Sequence, residues 1–96
     1  MDAARDCYHA MRELVLRHPG GRSSEASLAA LRKLCHIADE AAADAGCSAR
    51  LAAIEAHAGI LFSGCGSGNW VRRRILAELE EFRTRLYALE VKKEAA

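Results

Sequence analysis

The most chemically suggestive residues of this sequence lie in one segment, where a glycine-rich run is followed by three arginines. The run 64–69 reads Gly-Cys-Gly-Ser-Gly-Asn, and Arg72–Arg74 follow almost directly. Backbone N–H groups at the start of a helix attract anions, and nearby guanidinium groups strengthen that attraction. The segment therefore predicts a phosphate or other anion site. Its residues would be Gly66, Gly68, Asn69, Trp70, Arg72, Arg73 and Arg74.

Nucleic acid is a second possible ligand for this segment, because Trp70 offers a ring on which a base could stack. The flanking helices would then form a helix-turn-helix with Arg72 and Arg73 in the major groove. However, the turn is longer than the usual turn of about three or four residues, and residues 63–96 carry a net charge of only +2. The glycines also lack the P-loop and dinucleotide-binding patterns. The interpretation that we favour for this segment is a flexible connector before solvated arginines, with Arg74 paired to Glu78.

Acidic residues near the end of the second predicted helix form a stripe with a histidine. His36, Glu40 and Asp44 are each four residues apart and therefore share one helix face. A metal ion could bind such a stripe, but metal sites in bundles usually draw on several helices through Glu-x-x-His motifs, which this sequence lacks. We therefore expect no metal site here. The stripe instead predicts a solvated acidic face that suits a basic partner.

The four cysteines show no close pair of the kind that binds zinc. Cys7 and Cys35 fall on apolar helix faces and are predicted to be core residues, whereas Cys47 and Cys65 fall in predicted loops. We expect free thiols, with the two loop cysteines the reactive ones and Cys65 open to a redox role beside the arginines. No nucleophile and base can be paired from the sequence. We therefore predict a non-enzymatic protein without catalytic residues or cofactors.

Composition indicates one domain spanning residues 1–96. The 14 Lys and Arg residues nearly balance the 13 Asp and Glu residues, for a net charge of +1, which excludes a broadly basic nucleic-acid coat and an acidic disordered tail. The longest run without Asp, Glu, Lys or Arg covers 16 residues, 56–71, which is too short to span a membrane. The mixed, acidic N-terminus does not resemble a signal peptide. We expect a cytoplasmic protein with no membrane contact.

Apolar residues recur at helical spacing in four segments and predict helices at about 3–17, 24–45, 49–62 and 70–93. Ser23 or Ser24 is the predicted N-terminal cap of the second helix, Gly46 ends it, and Ser48 caps the third helix. Short connections imply antiparallel neighbours. The predicted fold is therefore an all-α, four-helix, up-down antiparallel bundle with unequal helices.

The last predicted helix carries a heptad seam that suggests the function. Its members alternate at spacings of four and three residues: Ile75, Leu79, Phe82, Leu86 and Leu89. Because two long helices would extend beyond two short ones, we expect a single chain to leave Leu86 and Leu89 uncovered. The sequence thus predicts a protein–protein interaction module, as a homodimer or with a helical partner. The alternative is the anion, nucleotide or nucleic-acid site described above.

Overall fold

The computed structural model describes residues 2–19, 21–64 and 69–95, and these residues form four α-helices. They are α1 (Asp2–Arg17), α2 (Glu25–Ala42), α3 (Ala45–Leu61) and α4 (Asn69–Ala95). The predicted all-α fold is confirmed, and Ser24 caps α2 as expected. Within the described ranges, β-type pairing is limited to one isolated bridge between Ser23 and Ser63.

The boundary between α2 and α3 differs from the prediction. Gly46 and Ser48, the predicted caps, both lie inside α3. Instead, Ala43 adopts the left-handed conformation (φ 47°) and ends α2. The Asp44 side chain accepts a hydrogen bond from the Cys47 amide at 2.9 Å and caps α3, which is the stabilising role of aspartate at this position. With 18 and 17 residues, α2 and α3 are nearly equal, so only α4, with 27, is long.

The helices pack as a ring in chain order, and α4 closes the ring against α1. Long-range pairs show that α1 and α4 are antiparallel. Arg5 near the start of α1 pairs with Glu90 near the end of α4, while Arg72 near the start of α4 donates to the His18 carbonyl. The bundle is elongated, at 47 × 21 × 19 Å. Among the described residues, no helix is both long enough and sufficiently apolar to cross a membrane.

The predicted seam of α4 lies in the core of its own chain. Ile75, Leu79 and Phe82 are fully buried, and Leu86 is 5% exposed. Leu89 is partly buried against the same core. The expectation that a single chain leaves Leu86 uncovered is therefore wrong, because α1 packs along the second half of α4. An interface between chains has to use other residues.

Backbone contacts join the two connections at one end of the bundle, which we call the loop end. The Ser24 amide donates to the Phe62 carbonyl at 2.8 Å. Gly64 has φ +81°, and a Cβ there would lie 3.0 Å from the Ser23 nitrogen, so both conformation and space require glycine. The His18 ring is buried edge-on against Phe62, with centroids 4.7 Å apart. These contacts fix the start of α2 against the end of α3.

Candidate interaction site

The structure separates the three arginines of the predicted anion site. Arg72 donates to the His18 carbonyl and thereby satisfies the C-terminal end of α1. Arg74 lies 3.9 Å from a Glu78 carboxylate oxygen, at the outer limit of an ion pair, and Arg73 is exposed. Asn69 begins α4, while Gly66 and Gly68 lie outside the described residues. One arginine of the cluster is thus committed to the fold.

A buried carboxylate lies one turn beyond Arg74, and the sequence suggested it only as a partner of Arg74. Glu78 is 4% exposed, and its Oε1 lies 2.8 Å from Nδ1 of His57, which also lies 3.0 Å from the Ala53 carbonyl. Since both neighbours are acceptors when Glu78 is ionised, Nδ1 carries the proton and donates to them. The pair connects α3 to α4 and satisfies a charge that would be costly to bury alone.

Trp70 lies over this buried pair at the loop end. Its ring meets the His57 ring edge-on, with centroids 6.4 Å apart, yet 58% of Trp70 remains exposed. Ile60, which follows His57 by three residues on α3, is 40% exposed. Two large apolar side chains are thus held at the surface on the same side of the bundle. Large exposed side chains held by a rigid helix are typical anchors of protein interfaces.

The acidic stripe predicted on α2 does not form one cluster. His36 and Glu40 pair with each other at 3.2 Å. Asp44 faces α4, where its two carboxylate oxygens accept bonds of 2.9 Å from Arg85. Within residues 2–19, 21–64 and 69–95, no three His, Cys, Asp or Glu side chains are grouped so that they could hold a metal ion. The acidic residue near the end of α2 is explained by its role as the N-terminal cap of α3.

Three cysteines are buried free thiols, and one of them corrects a prediction. Cys47, expected in a reactive loop, lies inside α3 and is fully buried. Burial raises the pKa of its thiol to about 11, assisted by Asp44. Burial likewise raises the pKa of Cys35 to about 12 and that of Cys7 above its ordinary value. Thiolates are the reactive form, so these groups are protected. Cys65 lies outside the described residues.

This protection predicts a thiol-labelling result. In a Cys65→Ser variant, where only Cys7, Cys35 and Cys47 remain, a thiol reagent at pH 8 should label almost no protein in the folded state. It should label three thiols after denaturation, because burial and raised pKa values both disappear. Mass spectrometry of the labelled chain provides the measurement. Rapid labelling of Cys47 in the folded state would show that α3 begins later than the structure indicates.

Comparison with protein families, characterised proteins and solved structures finds no match to this chain. The site therefore has to be judged on its own geometry. Exposed apolar residues, exposed small residues and a shallow cavity occur together on the outer sides of α3 and α4.

Two exposed or half-buried stripes form this surface, which we call the α3–α4 face. Along each stripe the spacing alternates between three and four residues, so that its members share one side of the helix. On α3 they are Gly46, Ala49, Ala53, Ala56 and Ile60, and on α4 they are Trp70, Arg74, Ala77, Glu81, Thr84 and Ala88. The same spacing is present in the sequence. A search for large apolar residues misses it, because most members are small.

The α3–α4 face is raised at one end and recessed at the other. Trp70 and Ile60 form the raised end, next to the loop end of the bundle. At the opposite end lies a shallow cavity of about 650 Å³, lined by Gly46, Thr84 and Ala88 together with Arg50, Glu81 and Arg85. A Cβ on Gly46 would lie 3.1 Å from Nε of Arg85, so glycine leaves room for the Arg85–Asp44 pair. We call this cavity the recess.

Proposed function

We propose that the protein is a non-enzymatic helical interaction module that binds its partner through the α3–α4 face. The observation that carries the proposal is the exposure of Trp70, which the His57–Glu78 pair supports from below. Tryptophan and arginine are the side chains most often responsible for binding energy at protein interfaces. Trp70 and Arg74 lie one turn apart and supply both.

The small residues between the raised end and the recess support the same proposal. Ala49, Ala56 and Ala77 are exposed, and no long side chain from these positions keeps a partner at a distance. Packed helices approach to roughly 8–10 Å between axes, and the smaller separations need small side chains at the contact. The face therefore suits another helix, or a pair of helices, as its partner.

A second candidate, binding of an anion or nucleotide, is favoured by one specific observation. The Nε group of Arg72 is buried and has no hydrogen-bond partner among the described residues. A buried donor of this kind would gain from a phosphate or carboxylate oxygen. Trp70 could then stack on an attached ring. Arg72 would contribute this Nε group while its Nη2 group donates to His18, and Arg73 and Arg74 would be the other cations of the site.

Site-specific photo-crosslinking tests the interaction function, because it captures a bound partner of any identity. A photoreactive phenylalanine analogue at Ala77, on the α3–α4 face, should give one discrete crosslinked product in the cells that make the protein. The same analogue at Ala29, an exposed alanine of α2, serves as the matched control and should give none. Electrophoresis and mass spectrometry of the products provide the measurement. Equal products at both positions, or none at Ala77, would argue against this face.

A further inference from the structure

We propose that the partner at the α3–α4 face is a second copy of this chain, packed antiparallel about a two-fold axis. The inference rests on the proposed function, since it names the partner of that same face. A two-fold interface requires one surface that is complementary to itself. The shape and the register of the face satisfy that requirement, and its charges do not oppose it.

The shape of the α3–α4 face is complementary to itself only in the antiparallel arrangement. Reversing the second copy places the raised end of each chain over the recess of the other. Trp70 of one copy would then cover Ala88 and Thr84 of the second copy, and Ile60 would cover Gly46. Trp70 is 58% exposed and the recess measures about 650 Å³, so the protruding side chain at one end of the face can occupy the cavity at the other end. In a parallel pair, the raised ends of the two copies would meet each other, and so would the two recesses.

The register is consistent on both helices, which an accidental surface would not ensure. On α4, Trp70 and Ala88 are equidistant from position 79, and on α3, Ile60 and Gly46 are equidistant from position 53. Positions 53 and 78 lie at the same level of the bundle, because His57 Nδ1 bonds both the Ala53 carbonyl and the Glu78 carboxylate. A single axis through that level therefore relates both pairs of ends.

The charges on the face are compatible with the same axis. Arg74 and Glu81 lie on the same stripe of α4, on either side of the axis position, and both are exposed. In the antiparallel pair, Arg74 of each copy lies opposite Thr84 of the other and Glu81 lies opposite Ala77, so no like charges meet along the stripe. Glu81 is already paired with Arg50 of its own chain, at 3.1 Å. The alanines near the axis allow the two helix layers to approach closely.

Analytical ultracentrifugation of the purified chain across a wide concentration range provides the first test. We expect a reversible monomer–dimer equilibrium, and Trp70→Ala should weaken it by at least about tenfold, as removal of an interface anchor does. Tyr87→Ala is the matched control, because Tyr87 is even more exposed (69%) but lies off the α3–α4 face. Both replaced side chains are largely exposed, and circular dichroism should show unchanged helix content. Equal effects of the two substitutions would overturn the proposal.

Disulfide trapping tests the orientation. Arg74→Cys and Thr84→Cys are introduced separately into the Cys65→Ser chain. The axis brings position 74 of one copy opposite position 84 of the other, whereas identical positions stand about 15 Å apart, beyond the reach of a disulfide. A mixture of the two variants should therefore oxidise to a mixed dimer, and neither variant should do so alone. Crosslinking of each variant with itself would overturn the antiparallel arrangement.

The results also separate this inference from the function on which it rests. A purified chain that stays monomeric, combined with a crosslink from Ala77 to a different protein, would refute self-association and leave the interaction function standing. A monomeric chain with no crosslink from Ala77 would refute both. A dimer that is insensitive to Trp70→Ala would place the contact between copies on another surface.

Discussion

The variant Leu86→Glu is expected to destabilise the bundle strongly, not to separate two folded chains. Leu86 is 5% exposed and belongs to the core that α4 shares with the other helices. An unpaired carboxylate at such a position costs on the order of 3–5 kcal/mol. A folded chain of 96 residues has a free energy of unfolding of roughly 5–14 kcal/mol in total. The substitution therefore removes a large part of the stability of the bundle.

Thermal unfolding followed by circular dichroism measures this effect, and the adjacent residue provides the control. Tyr87→Glu introduces the same charge on the same turn, but Tyr87 is 69% exposed. Substitutions at exposed positions usually change stability by about 0.5 kcal/mol or less. A large fall in Tm for Leu86→Glu beside a nearly unchanged Tm for Tyr87→Glu is the expected pattern. A Leu86→Glu chain with unchanged Tm would mean that the seam faces solvent.

The heptad seam shows what periodicity can predict. The spacing of Ile75, Leu79 and Phe82 correctly gave a helix and the side of it that is buried. Spacing does not reveal what covers that side, because a stripe of this kind packs equally well against its own chain or another. The predicted overhang depended on α3 being short, and α3 begins about one turn earlier than predicted. The error in one boundary thus became an error in the predicted interface.

The boundary itself was ambiguous for a physical reason. The segment between α2 and α3 contains three residues that could cap a helix or end one, Asp44, Gly46 and Ser48, within five positions. Local sequence cannot rank them, since the choice depends on Arg85, which lies 41 residues away and pairs with Asp44. Once Asp44 is fixed as the cap, Ser48 falls in the first turn of α3, where its hydroxyl donates to Asp39.

The candidate site was only partly predictable for the same reason. Trp70 and Arg74 were identified from the sequence because a ring and a guanidinium group beside a glycine-rich run could bind a base or an anion. The pairing of His57 with Glu78 and of Arg72 with His18 joins residues 21 and 54 positions apart, so it follows from the packing of the helices. The stripes of small residues were visible in the sequence. They acquire meaning only when the bundle shows that both face the same side.

The variant Asp44→Ala is expected to lower the Tm by roughly 5–10 °C, a large effect for one partly exposed side chain. Two separate contributions are lost together. The Asp44 carboxylate caps α3 through the Cys47 amide, and it accepts two bonds from the Arg85 guanidinium, which ties the start of α3 to α4. Paired bonds of this geometry are among the stronger charged contacts in proteins.

Two further variants separate these contributions. Asp44→Ser keeps an oxygen that can cap the helix but removes the charge, whereas Arg85→Ala keeps the cap and removes the partner. Each should lower the Tm by less than Asp44→Ala does. If Asp44→Ser alone reproduced the whole loss, the Arg85 pair would be the dominant contribution. If Arg85→Ala did not change the Tm, the helix cap would be the only contribution of Asp44 to stability.

The pH dependence of stability gives an independent test of the same contacts. The bonds from Arg85, followed by that from the Cys47 amide, hold the pKa of Asp44 well below its ordinary value of 3.8. A carboxyl group with a lowered pKa in the folded state stabilises the protein fully above the pKa of the unfolded state. That stability is lost as the pH falls through and below the ordinary value. Between about pH 5 and pH 2, the Tm difference between wild type and Asp44→Ser should therefore shrink. A difference that stays constant over this range would show that the Asp44 carboxylate gains nothing from its charge.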